Sequence, residues 1–186
     1  MNHLANAVVE SVEWARLRGG PGTAAGVAEA LTALADAESE KDATKHYWQI
    51  DNTVVVQGSL YESALPAVRA AFALLVGPLS IEARYRVVEV LVEIAGGETA
   101  QAEVEAGNAD LAERCRAELR EGLWLFYGLL LDPDARMRKQ GLTVLGWLEE
   151  NPQRIVPVLA KLTQQDPEES VRDAARELMG EFLAEG

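Results

Sequence analysis

Cysteine and histidine are nearly absent from this chain. Its 186 residues include one cysteine, Cys115, and two histidines, His3 and His46. A lone thiol excludes an internal disulfide, and these three residues lack the spacing of zinc ligands. Cys115 falls among apolar positions of a predicted helix, so we expect it to be a small buried hydrophobe in a reducing compartment. The sequence predicts no metal and no other cofactor.

Long apolar runs and an N-terminal leader are also missing. No stretch approaches the roughly 18 apolar residues of a membrane span, and no basic segment followed by an apolar one opens the chain. We therefore expect a cytoplasmic protein with no membrane partner. Aromatic residues make up only 6% of the chain, whereas alanine and leucine are plentiful. That balance favours helices over sheets.

Basic residues are the minority charge. The chain has 17 Lys and Arg against 30 Asp and Glu, a formal net charge of −13. This field repels phosphate backbones at long range and favours basic partners. An acidic surface can also serve solubility alone. The charge therefore disfavours a nucleic-acid partner and leaves a basic protein partner open.

Two Asp-Pro turns, 34 residues apart, mark an internal repeat. Asp132-Pro133-Asp134 and Asp166-Pro167-Glu168 each follow an apolar run and open a helix, where Asp caps free amides and Pro fits the first turn. At the same offset Arg138 aligns with Arg172. In the second copy, the apolar residues that recur at the spacing of a buried helical face are Val171, Ala174, Ala175, Leu178, Met179 and Phe182.

Further helix pairs are predicted towards the N-terminus, within a single domain of residues 1–186. The predicted segments are a divergent N-terminal helix pair (1–38), a long ordered loop (39–59), three repeats (60–96, 108–150, 151–186) and a linker insertion (97–107). The first helix of the middle repeat is expected to run from Asn108 to Leu131. The predicted fold class is all-α, a right-handed α-α superhelix of about four antiparallel helix pairs.

The segment 39–59 is predicted to be ordered but not helical. Tyr47, Trp48, Ile50 and three consecutive valines argue against disorder, because so many apolar groups require burial. Two interpretations remain open. The loop is either a clasp over the open end of the helix stack or a loop that contacts a partner.

These marks resemble HEAT repeats, of the armadillo-like class. The resemblance rests on the mid-helix Pro157, the Asp-Pro-Asp and Asp-Pro-Glu turns, the arginine that follows each, and the closing Leu-Gly or Met-Gly. It is good over 119–185, fair over 60–96 and poor before residue 38. It implies a scaffold or adaptor that grips proteins along a curved surface, although some family members act on nucleic acid. The block 48–68 also resembles small bacterial HEAT-like proteins of the immunity type.

No constellation of residues predicts a reaction. Gly20-Pro21-Gly22-Thr23-Ala24-Ala25 fits a dinucleotide-binding pattern only formally, since no strand precedes it, and a helix hinge is the expected structure. The adjacent Glu149 and Glu150 diverge on a helix and are expected to be solvated. A locally basic set interleaves with glutamates: Arg114, Arg116, Arg120, Arg136, Arg138 and Lys139. We expect no enzyme.

Candidate recognition residues lie in two places. Trp147 aligns with Glu181 in the repeat, a position facing solvent, so its indole is expected to face outward. Packing against the next repeat is the alternative. The full set of predicted partner-binding residues is Tyr47, Trp48, Gln49, Asp51, Trp147, Glu150, Glu177 and Glu181.

The predicted function is therefore a non-catalytic protein-binding module. The partner would bind the concave face of the repeats and the loop 46–57, with acidic groups favouring a basic partner. Two alternatives remain open from the sequence. One is an immunity protein that neutralises a basic toxin, and the other is a HEAT-like enzyme acting on nucleic acid, such as a DNA glycosylase.

Overall fold

A computed structural model describes residues 3–184, which form eleven α-helices and five strands of only two residues each. The prediction of an all-α fold is confirmed. The chain separates into two compact units, unit 1 ending at Glu121 and unit 2 beginning at Gly122. The outermost positions of the predicted segments 1–38 and 151–186, residues 1, 2, 185 and 186, lie outside the described residues.

Unit 1 holds seven of the described helices and all five strands. The helices are α1 (His3–Glu10), α2 (Val27–Ala35), α3 (Glu40–Val54), α4 (Ala64–Leu75), α5 (Ile81–Gly96), α6 (Gln101–Glu105) and α7 (Leu111–Glu121). The strands are β1 (Arg18–Gly19), β2 (Gly22–Thr23), β3 (Val55–Val56), β4 (Ser59–Leu60) and β5 (Glu98–Thr99). Helix α5 packs against α2, α3, α4 and α7, so its Val88 and Leu91 are buried at the centre of the unit.

The prediction of a loop over 39–59 is wrong, because about the first two thirds of this segment form the helix α3. Ser39 has extended backbone and its hydroxyl accepts a hydrogen bond from the Asp42 amide, which starts the helix. The buried residues of α3 follow the spacing of a helical face: Ala43, Tyr47, Ile50 and Val54. Only the end is extended, where β3 and β4 form a tight antiparallel turn around Gln57 and Gly58.

The predicted N-terminal helix pair (1–38) corresponds to the short helices α1 and α2, and a hairpin replaces the predicted glycine hinge between them. Strands β1 and β2 pair antiparallel around Gly20 and Pro21. The Gly20 amide donates to the Thr53 carbonyl at the end of α3. A Cβ at Gly20 would lie 2.2 Å from Val56 Cγ2, so this close approach requires glycine.

Unit 2 consists of α8 (Leu123–Leu129), α9 (Ala135–Leu148), α10 (Pro152–Gln165) and α11 (Glu169–Ala184). Helix α9 packs on α8 and α11, and α10 packs on α11. The single helix predicted for 108–131 is wrong. Gly122 leaves the helical conformation between α7 and α8, in keeping with the large loss of backbone entropy that glycine suffers when it enters a helix.

The two Asp-Pro turns make matching hydrogen bonds. Arg138 Nη1 donates to the carbonyls of Asp132 and Pro133 at 2.8 and 3.1 Å. Arg172 Nη1 donates to the equivalent carbonyls of Asp166 and Pro167 at 2.7 and 3.0 Å. In each turn the first aspartate accepts the amide two residues later, at 2.9 Å. Each arginine therefore closes the turn that precedes its own helix.

Candidate partner-binding groove

An open groove lies between helices α9 and α11 on the surface of unit 2. Its volume is about 340 Å³. The lining residues alternate between apolar groups and polar groups: Leu142, Thr143, Gly146, Trp147, Ala174, Glu177, Leu178 and Glu181. A Cβ on Gly146 would lie 3.1 Å from Leu178 Cδ1, so glycine lets the two helices approach closely at the floor. We call this the α9–α11 groove.

Capping and patterning place the groove side chains. Asp134 caps α9 by accepting the Arg136 amide at 2.9 Å. Leu145 and Leu148 of α9 are buried, as are Val171, Ala175 and Leu178 of α11. The next positions around each helix then point away from the core. Trp147, Glu177 and Glu181 occupy such positions.

Trp147 projects into solvent at this groove, with 53% of its surface exposed. The outward orientation expected from its alignment with Glu181 is confirmed. Glu177 and Glu181 lie one turn apart on α11, and both are exposed. Within residues 3–184, neither carboxylate has an ion pair or a hydrogen bond from another side chain. The groove therefore combines an exposed indole with two uncompensated negative charges.

Of the predicted partner-binding residues, the structure brings together Trp147, Glu177 and Glu181. Glu150 is exposed just beyond the end of α9 but does not line the groove. Its neighbour Glu149, which the sequence predicted to be solvated, is buried. Glu149 accepts hydrogen bonds from the Tyr127 hydroxyl at 2.6 Å and from the Asn151 amide at 2.8 Å. Burial and then this carboxylate raise the pKa of Tyr127.

The predicted residues of the 46–57 segment lie on α3, in unit 1. Trp48 is 52% exposed. Gln49 is also exposed, and its Oε1 forms a hydrogen bond with His46 Nδ1 at 2.8 Å. Tyr47 is only 4% exposed, so the prediction that it contacts a partner does not fit its position. Its ring packs edge-on against Trp48, with centroids 5.1 Å apart, and beneath the Arg86 guanidinium. Tyr47 supports Trp48 from within the fold.

Asp51 belongs to a group of acidic side chains between α3 and α5. It accepts a hydrogen bond from the Tyr47 hydroxyl at 3.3 Å. Burial raises the pKa of Asp51, and the nearby Glu89 adds to the effect. Burial followed by Asp51 and Glu89 likewise raises the pKa of Glu93. Arg86 pairs with Glu89 and donates to Thr44, so the cluster contains its own cation.

The locally basic arginines of the sequence are engaged within the fold. Each forms an ion pair with an acidic side chain of its own unit: Arg114 with Asp110, Arg116 with Glu98, Arg120 with Glu113, Arg136 with Asp134, and Arg138 with Asp166. A phosphate would therefore have to compete with an existing carboxylate at each of these arginines.

Cys115 is buried in α7, as expected. Burial raises the pKa of its thiol to about 12, which keeps it protonated at neutral pH. Among residues 3–184, no three His, Cys, Asp or Glu side chains lie where they could hold a metal ion. None of the helices within this range combines the length and hydropathy that crossing a membrane requires.

A second groove of unit 2 had no counterpart in the sequence interpretation. It lies between the end of α8 and α10, and its volume is about 690 Å³. The sequence signal for it is weak: Leu131 belongs to the predicted repeat 108–150 and Pro157 and Val158 to the repeat 151–186, and only the tertiary packing brings them together. No known family model, curated protein or solved structure matches this chain.

Proposed function

We propose that this protein is a HEAT-like, non-catalytic binding module whose α9–α11 groove takes a basic segment of a protein partner. The observation that carries the proposal is the half-exposed indole of Trp147 beside Glu177 and Glu181. The resemblance to HEAT repeats supports the same class of function.

The indole supplies the apolar part of the proposed interaction. Tryptophan is enriched among residues that dominate binding energies, because it buries a large rigid surface. Leu142 and Leu178 extend the apolar floor beside it. A partner side chain with an apolar stem would therefore be desolvated along this floor.

The carboxylates supply the charge preference. Glu177 and Glu181 have no cation of their own within the described residues, so a partner's cation would gain an attraction without breaking an existing ion pair. Arginine fits best, since its planar guanidinium stacks on an indole and donates two hydrogen bonds to a carboxylate. A lysine offers only a compact charge.

The test uses short fluorescent peptides with one leucine flanked by arginine, lysine or citrulline, titrated against the full chain. We expect the arginine peptide to bind most tightly and its affinity to fall with added salt. Trp147→Ala should weaken binding about tenfold, a typical loss for an interface anchor. Trp48→Ala is the matched control, because that indole is equally exposed but lies in unit 1. Equal binding of the citrulline peptide, or an equal loss in both variants, would refute the proposal.

A further inference from the structure

The groove between α8 and α10 differs in character from the α9–α11 groove. We call it the α8–α10 groove, and its volume of about 690 Å³ is roughly twice as large. Its walls include Leu130, Leu131, Pro157, Val158 and Leu162. Leu131 is 86% exposed, so an apolar side chain stands open to solvent at the edge of the groove.

The floor of this groove contains a buried ion pair and one further buried aspartate, Asp132. Arg138 donates from Nε and Nη2 to the two carboxylate oxygens of Asp166, at 2.8 and 2.9 Å. Both side chains are almost fully buried. The remaining Arg138 donor, Nη1, is used by the Asp132 and Pro133 carbonyls. The Arg138–Asp166 pair therefore offers a partner no free charge, and the Asp132 carboxylate is itself buried and accepts the Asp134 amide.

The rim, by contrast, is positive. Neither α8 nor α10 contains an Asp or Glu, whereas α10 carries Arg154 and Lys161. Arg154 is bonded to Glu149 and lies over the Trp124 ring. Lys161 is exposed and has no partner among residues 3–184. In a chain of net charge −13, this groove has one uncompensated cation at its edge.

The length of the groove fits two turns of a helix. The α10 residues that line it are Pro157, Val158, Lys161, Leu162 and Gln165. From Pro157 to Gln165 the helix rises about 12 Å, at 1.5 Å per residue. A partner helix with apolar anchors at positions i, i+4 and i+7 spans about the same distance.

We propose that the α8–α10 groove binds an amphipathic helix of a protein partner, with leucine-like anchors in the groove and a carboxylate on Lys161. This site and its charge preference are independent of the α9–α11 groove. A long-chain fatty acid matches the apolar walls and the single cation less well, since a small ligand buries most of its surface in a cavity and would leave Leu131 uncovered. A second copy of this acidic chain would be repelled at long range.

The probe is a fluorescein-labelled helical peptide with leucines at i, i+4 and i+7 and glutamates on its flanks. Two comparison peptides have the same composition in scrambled order, or lysine in place of every glutamate. Binding to the full chain is followed by fluorescence anisotropy. We expect the acidic amphipathic peptide to bind and the scrambled peptide to bind at least tenfold more weakly.

Charge reversal at the rim provides the specific readout. Lys161→Glu should weaken binding of the acidic peptide about tenfold and strengthen binding of the lysine peptide. Leu131→Gln should weaken binding of both peptides. Thermal unfolding checks that these exposed substitutions leave the fold intact. Trp147→Ala, which abolishes the α9–α11 anchor, should leave the acidic peptide unaffected.

Several outcomes would overturn this inference. They are no binding of the acidic peptide up to about 1 mM, equal binding of the scrambled peptide, or an unchanged affinity in Lys161→Glu. Displacement of the peptide by oleate at lower concentration would instead assign the groove to a fatty acid. Self-association of the wild-type chain that Leu131→Gln abolishes in sedimentation would assign it to a second copy.

Discussion

Arg138 of α9 and Asp166, in the turn before α11, form a buried bidentate ion pair. Arg138 thus closes its own Asp-Pro turn and holds the aspartate of the next one. Burial alone would raise the pKa of Asp166, but the Arg138 guanidinium holds that pKa below its usual value. Arg172 makes the same carbonyl contacts in its own turn. One side chain therefore couples two successive turns of unit 2.

Removing this arginine should strongly destabilise unit 2. Arg138→Ala leaves a buried carboxylate without its cation, which costs about 3–5 kcal/mol. Arg176→Ala is the control, because its ion pair with Asp173 is exposed on both sides and is worth less than about 1 kcal/mol. Urea unfolding of both variants measures the difference. Equal losses would contradict a coupling role for Arg138.

The buried Glu103 predicts a dependence of stability on pH. Burial would raise its pKa, but hydrogen bonds from Arg18, Asn108 and the Glu62 amide outweigh burial and hold the pKa below its ordinary value of 4.5. A lowered folded pKa adds stability that is present above the ordinary value and lost as pH falls through the folded one. Glu103→Gln should therefore cost about 2 kcal/mol at neutral pH.

This cost of Glu103→Gln should shrink in acid, as the wild-type carboxyl also becomes protonated. Denaturant titrations of both proteins at neutral and acidic pH provide the comparison. A difference that stays constant across this range would show that the carboxylate charge is not what stabilises the site.

The ionisation of Asp51 should change stability with pH in the opposite direction to that of Glu103. Its folded pKa is raised by burial and by Glu89, so ionising it costs stability as pH rises from its ordinary value of 3.8 through the folded value. Asp51→Asn removes the charge and keeps an acceptor for the Tyr47 hydroxyl. We expect a gain of about 0.5 kcal/mol at neutral pH, after screening of a partly exposed group, and no gain in acid.

Glu29→Gln controls for the change in net charge, since Glu29 is exposed and has no side-chain partner among residues 3–184. Thermal unfolding across pH distinguishes the two variants. A gain in both would assign the effect to the global charge and not to the cluster at Asp51.

Two glycines at equivalent repeat positions should respond differently to alanine. At Gly180 a Cβ meets nothing within 4 Å, so Gly180→Ala should stabilise α11 by up to about 1 kcal/mol through helix propensity alone. At Gly146 the Cβ presses on Leu178, which offsets that gain and narrows the α9–α11 groove. Thermal unfolding and arginine-peptide titration measure both effects. Weaker binding in Gly180→Ala than in Gly146→Ala would contradict the placement of the groove.

Local patterns in the sequence predicted much of unit 2. The Asp-Pro turns and the spacing of Val171, Leu178 and Phe182 carry enough information to place α9 and α11, because capping and helical periodicity act over a few residues. The same alignment predicted the exposure of Trp147. The resemblance to HEAT repeats itself stays a prediction.

The errors arose where local and tertiary signals compete. The valines at 54–56 suggested extended chain, yet Ser39 and the spacing of Ala43, Tyr47 and Ile50 determine a helix before them. Glu149 was expected to be solvated because its neighbours in the sequence give no indication that the Tyr127 hydroxyl, 22 positions away, would donate to it. The α8–α10 groove depends on packing between separate helices. Single-sequence periodicity does not encode that packing.

The contacts of Glu103 also constrain the order in which unit 1 assembles. One carboxylate joins Arg18, the amide of Glu62 and Asn108, which are up to 90 positions apart along the chain. The hairpin near the N-terminus can bond Thr53 and Ser63 earlier, but its Arg18 side chain lacks the buried Glu103 carboxylate until α6 has emerged from a ribosome. We expect the hairpin amides to reach their full protection from hydrogen exchange only when α6 has docked, because the Glu103 contacts are the most distant in sequence.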